Sequence, residues 1–143
     1  MRIFLAAAAA AAAAAAILWS TSARVFAEAP PPAIVKELIK RDLAGAGGKE
    51  IRMITVEYVP GGASLPHRHN AQVFVYVLEG AVKMQVQGGA LVTLGPGDTF
   101  YEGPGDIHTV SANASPTQAA RILVFIVKDA GAPVSVPVAA KAP

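Results

Sequence analysis

The chain contains no cysteine. That excludes a disulfide framework, a thiolate metal site, a cysteine nucleophile and a lipid anchor carried on cysteine. It does not decide the compartment, because an exported domain of this size can fold without bridges. Charge is also scarce: 15% of the 143 residues are charged and the formal net charge is +2. Arg2 and Arg24 fall within the first 27 positions, where no acid occurs, and beyond them ten bases balance ten acids. No basic stripe remains to hold phosphates, so a nucleic-acid partner is not expected. The sequence also lacks a Gly-rich phosphate loop, a Gly-x-Ser-x-Gly nucleophile elbow, an internal repeat and any βαβ alternation, which excludes a doubly wound fold.

What is present begins with an apolar start. Arg2 precedes an uncharged, mostly apolar run from Ile3 to Trp19, which includes the alanine run Ala6 to Ala16. Val25-Phe26-Ala27 then places small residues where signal peptidase accepts them. Residues 1–27 therefore read as an export signal cut after Ala27, which implies a periplasmic or extracellular protein with no stable membrane insertion once the signal is removed. A retained anchor is the alternative, although 17 residues fall short of the roughly 20 that a span needs. No Arg-Arg pair suggests a twin-arginine route.

The remainder divides into an arm or linker (28–44), a folded domain (45–130) and a tail (131–143) rich in Pro and Ala. Pro30-Pro31-Pro32 stiffens the arm. Ala33 to Leu43 admits either a short helix, on the spacing of Ile34, Val35, Leu38 and Ile39, or a strand. From Glu50 onward the pattern is β. Ile51–Val59, Val73–Leu78, Ala81–Val86, Leu91–Leu94, Thr99–Tyr101, Ile107–Ser111 and Arg121–Val127 read as strands separated by Gly- and Pro-bearing turns. Short strands with a turn every 8–12 residues imply an all-β barrel or sandwich.

All three histidines lie in this region: His67, His69 and His108. The first two are at i and i+2, so in an extended segment they share a face, and Pro66 favours that extension. Imidazole is the commonest neutral metal ligand, and two on one face make a chelating pair. His108 follows a Pro-Gly turn and opens a separate strand. By parity, Arg68 points away from its two neighbours. Tyr76, Met84, Phe100 and Tyr101 read as packing residues, and Tyr101 or Glu102 is a candidate to face a cavity. Glu79 reads as solvated, and Asn113 as a turn-binding amide.

Two stretches carry a family resemblance. Gly61 to Gly80 reads Gly-Gly-Ala-Ser-Leu-Pro-His-Arg-His-Asn-Ala-Gln-Val-Phe-Val-Tyr-Val-Leu-Glu-Gly, and Gly95 to Asn113 reads Gly-Pro-Gly-Asp-Thr-Phe-Tyr-Glu-Gly-Pro-Gly-Asp-Ile-His-Thr-Val-Ser-Ala-Asn. In order and spacing these resemble the two motifs of the cupin superfamily, in its small single-domain type-2 form, over about residues 45–130. The resemblance implies a jelly-roll β-barrel in which His67, His69 and His108 point inward and bind a divalent transition metal: iron, manganese, nickel, zinc or copper. The family's usual glutamate ligand would fall at Val73, which cannot bind a metal. The set is then three histidines plus water, or three histidines plus Gln72 if a bulge turns its amide inward. Three neutral imidazoles would leave the ion uncompensated and favour an anionic oxygen ligand. The implied function is dioxygenase-like action on a small oxygen-bearing organic molecule. The alternative is a non-catalytic ligand-binding cupin with weak or no metal binding, or a barrel whose histidines serve stability alone. The resemblance also implies a homodimer, with Ala33 to Val59 offering an edge strand.

Overall fold

A run of alternating apolar and polar residues buries one face only if it is extended, and this chain satisfies that condition repeatedly. The computed structural model describes residues 28–138. The proposed export signal lies outside the described residues. Eleven strands follow in order: β1 Ile34–Asp42, β2 Lys49–Tyr58, β3 Ala63–Ser64, β4 His67–Arg68, β5 Ala71–Glu79, β6 Val82–Val86, β7 Val92–Leu94, β8 Thr99–Glu102, β9 Ile107–Asn113, β10 Ala120–Asp129 and β11 Val136–Pro137. The segment from Ala33, open to helix or strand from its sequence, is strand β1. Its helical spacing loses because β2 offers a ladder along its whole length, from Ile34↔Glu57 to Asp42↔Glu50.

The strands form two sheets. One has the order β1-β2-β10-β5-β8; the other runs β11-β4-β9-β6-β7, with β3 also on β9. All pairings are antiparallel. This is the jelly-roll architecture of the expected class, with one correction. No ladder joins the two sheets into a closed barrel among the described residues. The chain passes between the sheets through turns, which end the ladders instead of continuing them. At Gly80, which follows β5, φ is +70°, and an added Cβ would lie 2.5 Å from the Ala119 carbonyl oxygen. Only glycine fits that corner.

The core lies between the sheets. Val73, Val75 and Val77 of β5 are buried while Phe74 and Tyr76 face out. Ile122, Val124 and Ile126 of β10, and Val82 and Met84 of β6, meet them. Each such side chain contributes roughly 1.5–3 kcal/mol of burial. Tyr76 and Tyr101, expected as core packing, are half exposed on the outer face, because parity commits the odd-numbered residues of β5 to the interior and the β5–β8 ladder sets Tyr101 opposite the outward Phe74.

The segment after β10 does more than lie on the surface. Lys128 and Glu50 are both 1% exposed, with Nζ and Oε1 2.5 Å apart. Lys128 also donates to the carbonyls of Asp129 and Ala132, at 3.1 and 2.5 Å. This fixes the turn after β10. The chain then returns over the cavity, and β11 pairs with β4. Residues 133–138 thus form a strap over the end of the fold that holds His67 and His69. Among the described residues no helix is long and apolar enough to cross a membrane.

Candidate metal centre

Extended backbone at 67–69 puts both histidine rings on one side, as the i, i+2 spacing predicts. Their centroids are 4.9 Å apart and the rings are perpendicular. Arg68 between them is exposed. The β4–β9 ladder sets His67 opposite His108, with ring centroids 5.2 Å apart. Phe100 stacks on the other side of His108 at 5.8 Å.

The backbone decides which ring nitrogens are free. His67 Nδ1 lies 2.7 Å from the Leu65 carbonyl oxygen, and His69 Nδ1 lies 2.5 Å from that of Val134. A carbonyl only accepts, so each Nδ1 carries the donated proton and each Nε2 keeps its lone pair. That is the arrangement metal-binding histidines use. The His69 partner comes from the strap, 65 residues along the chain.

The fourth element is Glu102 of β8, 2% exposed. Its Oε2 lies 3.8 Å from His69 Nε2 and 3.1 Å from His108 Nδ1. His67, His69 and Glu102 each offer one ligand atom, and these atoms all lie within 4.8 Å of one another. His108 is outside that set and sits against Glu102. This group joins two of the three expected histidines to a carboxylate, with His108 beside it.

Gln72 is corrected outright. No bulge turns it inward; β5 alternates from Ala71 to Val77, Gln72 is exposed, and its Oε1 accepts a hydrogen bond from the Tyr101 hydroxyl on the outer face. Of the two residues considered for the cavity, Tyr101 faces out and Glu102 faces in.

The electrostatics suit a cation. Burial works to raise the Glu102 pKa, but His108, with His69 and His67 beyond it, outweighs that and holds the carboxyl below its ordinary value. Burial pushes His67 down. The Leu65 carbonyl opposes this, and the two neighbouring histidines add to it. An ionised carboxylate thus faces a neutral imidazole. Glu102 Oε2 and His108 Nε2 are buried without a well-aligned hydrogen bond, the oxygen having only the His108 Nδ1 contact at 3.1 Å. Such an orphan costs about 1–3 kcal/mol unless something coordinates it. A divalent ion bound through His67, His69 and Glu102 would satisfy the carboxylate oxygen, so the residues fit the group.

The centre opens on a cavity of about 710 Å³ between the sheets. Its walls are mainly apolar: Ile54, Val56, Val75, Met84, Ile122 and Val124 all line it. Sequence reasoning missed Tyr58, Ser64 and Ser111, which line it as well. The available signal was the inward parity of Tyr58, two residues beyond Val56. Val134 carries no sequence signal, because it acts through its carbonyl. Asn113 ties down its turn as expected: its amide donates to the carbonyls of Tyr58, Val59 and Gln118 and accepts from the Ser115 N–H.

A double-sheet all-β chain with an interior histidine–carboxylate cluster over an apolar cavity defines the class. The sequence model of the cupin domain matches residues 54–126, and the chain belongs to the cupin family. A comparison with curated proteins finds no match. Among solved structures, the chain is similar to a recombinant oxalate oxidase in complex with glycolate, at 25% identity over 77% of this chain and 57% of that one, with a TM-score of 0.57. It is similar in fold to the DMSP lyase DddQ from Ruegeria pomeroyi DSS-3, at 22% identity over 61% of this chain and 42% of that one, with a TM-score of 0.54. A cupin domain from Bordetella pertussis Tohama I matches over 69% of this chain and 96% of that one, at 20% identity and a TM-score of 0.55. The chain thus spans under half the length of the lyase and little more than half that of the oxidase.

Proposed function

We propose that this protein is an exported, divalent-metal-binding cupin that acts on a small oxygen-bearing organic molecule in dioxygenase-like fashion. The observation that carries this reading is the convergence of His67, His69 and Glu102 within 4.8 Å, two of them with Nδ1 tied to backbone carbonyls. Likeness to oxalate oxidases at 25–26% identity supports it. A bound ion would supply Lewis acidity to a ligand oxygen.

The chain's own residues do the rest. His67, His69 and Glu102 would hold the ion, and His108 would hold Glu102. With one carboxylate in the set, a divalent ion keeps one net positive charge, which matches a monoanionic enolate or carboxylate better than a dianion. The apolar walls exclude bulk water and strengthen that attraction. The same walls favour the second reading, a cupin that binds such a molecule without turning it over. Export rests on the composition of residues 1–27, and a dimer on β1, where Ile34, Val35, Leu38 and Ile39 are at least 40% exposed.

Elemental analysis of the full chain, purified without chelator, tests the metal. Near-stoichiometric divalent metal is expected, lost in His67→Ala. Equal metal content in both proteins would remove the reading.

A further inference from the structure

The cavity has two polar poles. One is the histidine–carboxylate cluster. The other is a hydroxyl cluster that the metal reading leaves unused. Tyr58 Oη lies 2.6 Å from Ser111 Oγ and 3.3 Å from Ser64 Oγ. Tyr58 is 2% exposed and Ser111 4%. All three residues line the same cavity as His67, His69 and Glu102.

A bulge places both poles on one strand. Along β6–β9, Gln85 pairs with Val110 and Val86 with His108, so Thr109 is the extra residue. The Thr109 hydroxyl donates to the Gln85 carbonyl. The extra residue resets the alternation, and His108 and Ser111 both turn inward although they differ in parity. Across the bulge, Ser111 and His108 stand opposite Met84 and Val86, two positions apart on β6, which is about 7 Å of strand. Val56, Val75, Ile122 and Val124 add aliphatic wall to the same cavity.

The hydroxyl cluster has a donor to spare. Three O–H groups share two oxygen–oxygen hydrogen bonds. The remaining acceptor within reach is the Met84 thioether, 3.7 Å from Ser111 Oγ. Sulfur accepts weakly, so a carbonyl or carboxylate oxygen entering the cavity would displace it.

We propose that the cavity selects a molecule with a predominantly apolar body, an enolate or carboxylate oxygen at the His67/His69/Glu102 end, and a second hydrogen-bond acceptor about 7 Å away that Ser111 receives beside Tyr58. This rests on the metal reading for the first end only. Ser111 is the specificity residue and Tyr58 its positioning partner. A compact dianion such as oxalate covers neither the aliphatic wall nor the far pole.

The test uses the full chain loaded with zinc, which has no redox chemistry to consume the ligand. Benzoylacetone, its para-acetyl derivative and oxalate are titrated calorimetrically. The para-acetyl compound should bind about tenfold tighter than benzoylacetone, the worth of one good hydrogen bond. Ser111→Ala should reduce that ratio to near one, and Tyr58→Phe, which removes the hydroxyl paired with Ser111, should reduce it in part. Melting temperatures confirm that the variants remain folded. A ratio near one in the wild type, a ratio unchanged in both variants, or oxalate binding tighter than either diketone would overturn the proposal. His67→Ala separates the two readings. It should weaken both diketones alike and preserve their ratio. If it leaves both affinities unchanged, the metal reading falls while the ratio still reports the hydroxyl pole.

Discussion

Glu102 stands directly opposite Val73 across the β5–β8 ladder. Val73 occupies the position where the family resemblance leads one to look for a glutamate, and the carboxylate arrives instead from the neighbouring strand. Both side chains line the same cavity. The acid stands one ladder away from that position, within reach of His67 and His69.

Glu102→Gln should therefore lose metal. The amide keeps the shape and removes the charge, and affinity should fall at least about tenfold. Val73→Glu in the Glu102→Val background should restore part of it. Chelator competition reads both, and unchanged affinity in Glu102→Gln would remove Glu102 from the set.

The strap makes a separate prediction. Val134 presents its carbonyl to His69 Nδ1. A chain ending after Pro133 keeps the Glu50–Lys128 pair and the Ala132 carbonyl but loses that acceptor. Metal affinity should drop roughly 10- to 100-fold, the usual effect of losing such a partner. The His69 tautomer, followed by nitrogen NMR of the imidazoles, should become mixed.

Acid stability should depend on Glu50. Lys128, the Gly131 N–H and Lys40 hold its pKa at about 2, against 4.5 ordinarily, with burial opposing them. The folded pKa is depressed, so the stabilisation is present above pH 4.5 and is lost as pH falls from there toward 2. Urea unfolding at pH 7, 4.5 and 3 should show a steep loss in the last interval. Lys128→Met should lower stability at pH 7 and flatten that interval.

Asn113→Asp should destabilise the turn before β10. Its amide donates to three carbonyls, at 2.7 to 3.1 Å. Aspartate would face those oxygens with a charge and no proton to give. A loss of about 2–4 kcal/mol is expected from urea denaturation.

Much of the frame was legible locally. The seven strands read from alternation, apolar runs and bounding turns are all present, displaced at their ends by a few residues. Strand pattern is a backbone property with a period of two, so it survives without knowledge of the partner. Segments of two residues, such as β3, β4 and β11, carry too little pattern to be read, and they exist only because β9 and β4 provide ladders.

The sequence by itself determined the all-β class, the turns, and the shared face of His67 and His69, because extended backbone alone sets side-chain direction over three residues. The tertiary structure decided the rest of the centre: Glu102 inside and Gln72 outside, His108 beside the carboxylate, and a strap carbonyl on His69. Those outcomes depend on cross-strand register, on one extra residue in β9 and on a carbonyl 65 residues away. Register comes from packing two sheets against each other, and a single strand read alone does not contain it.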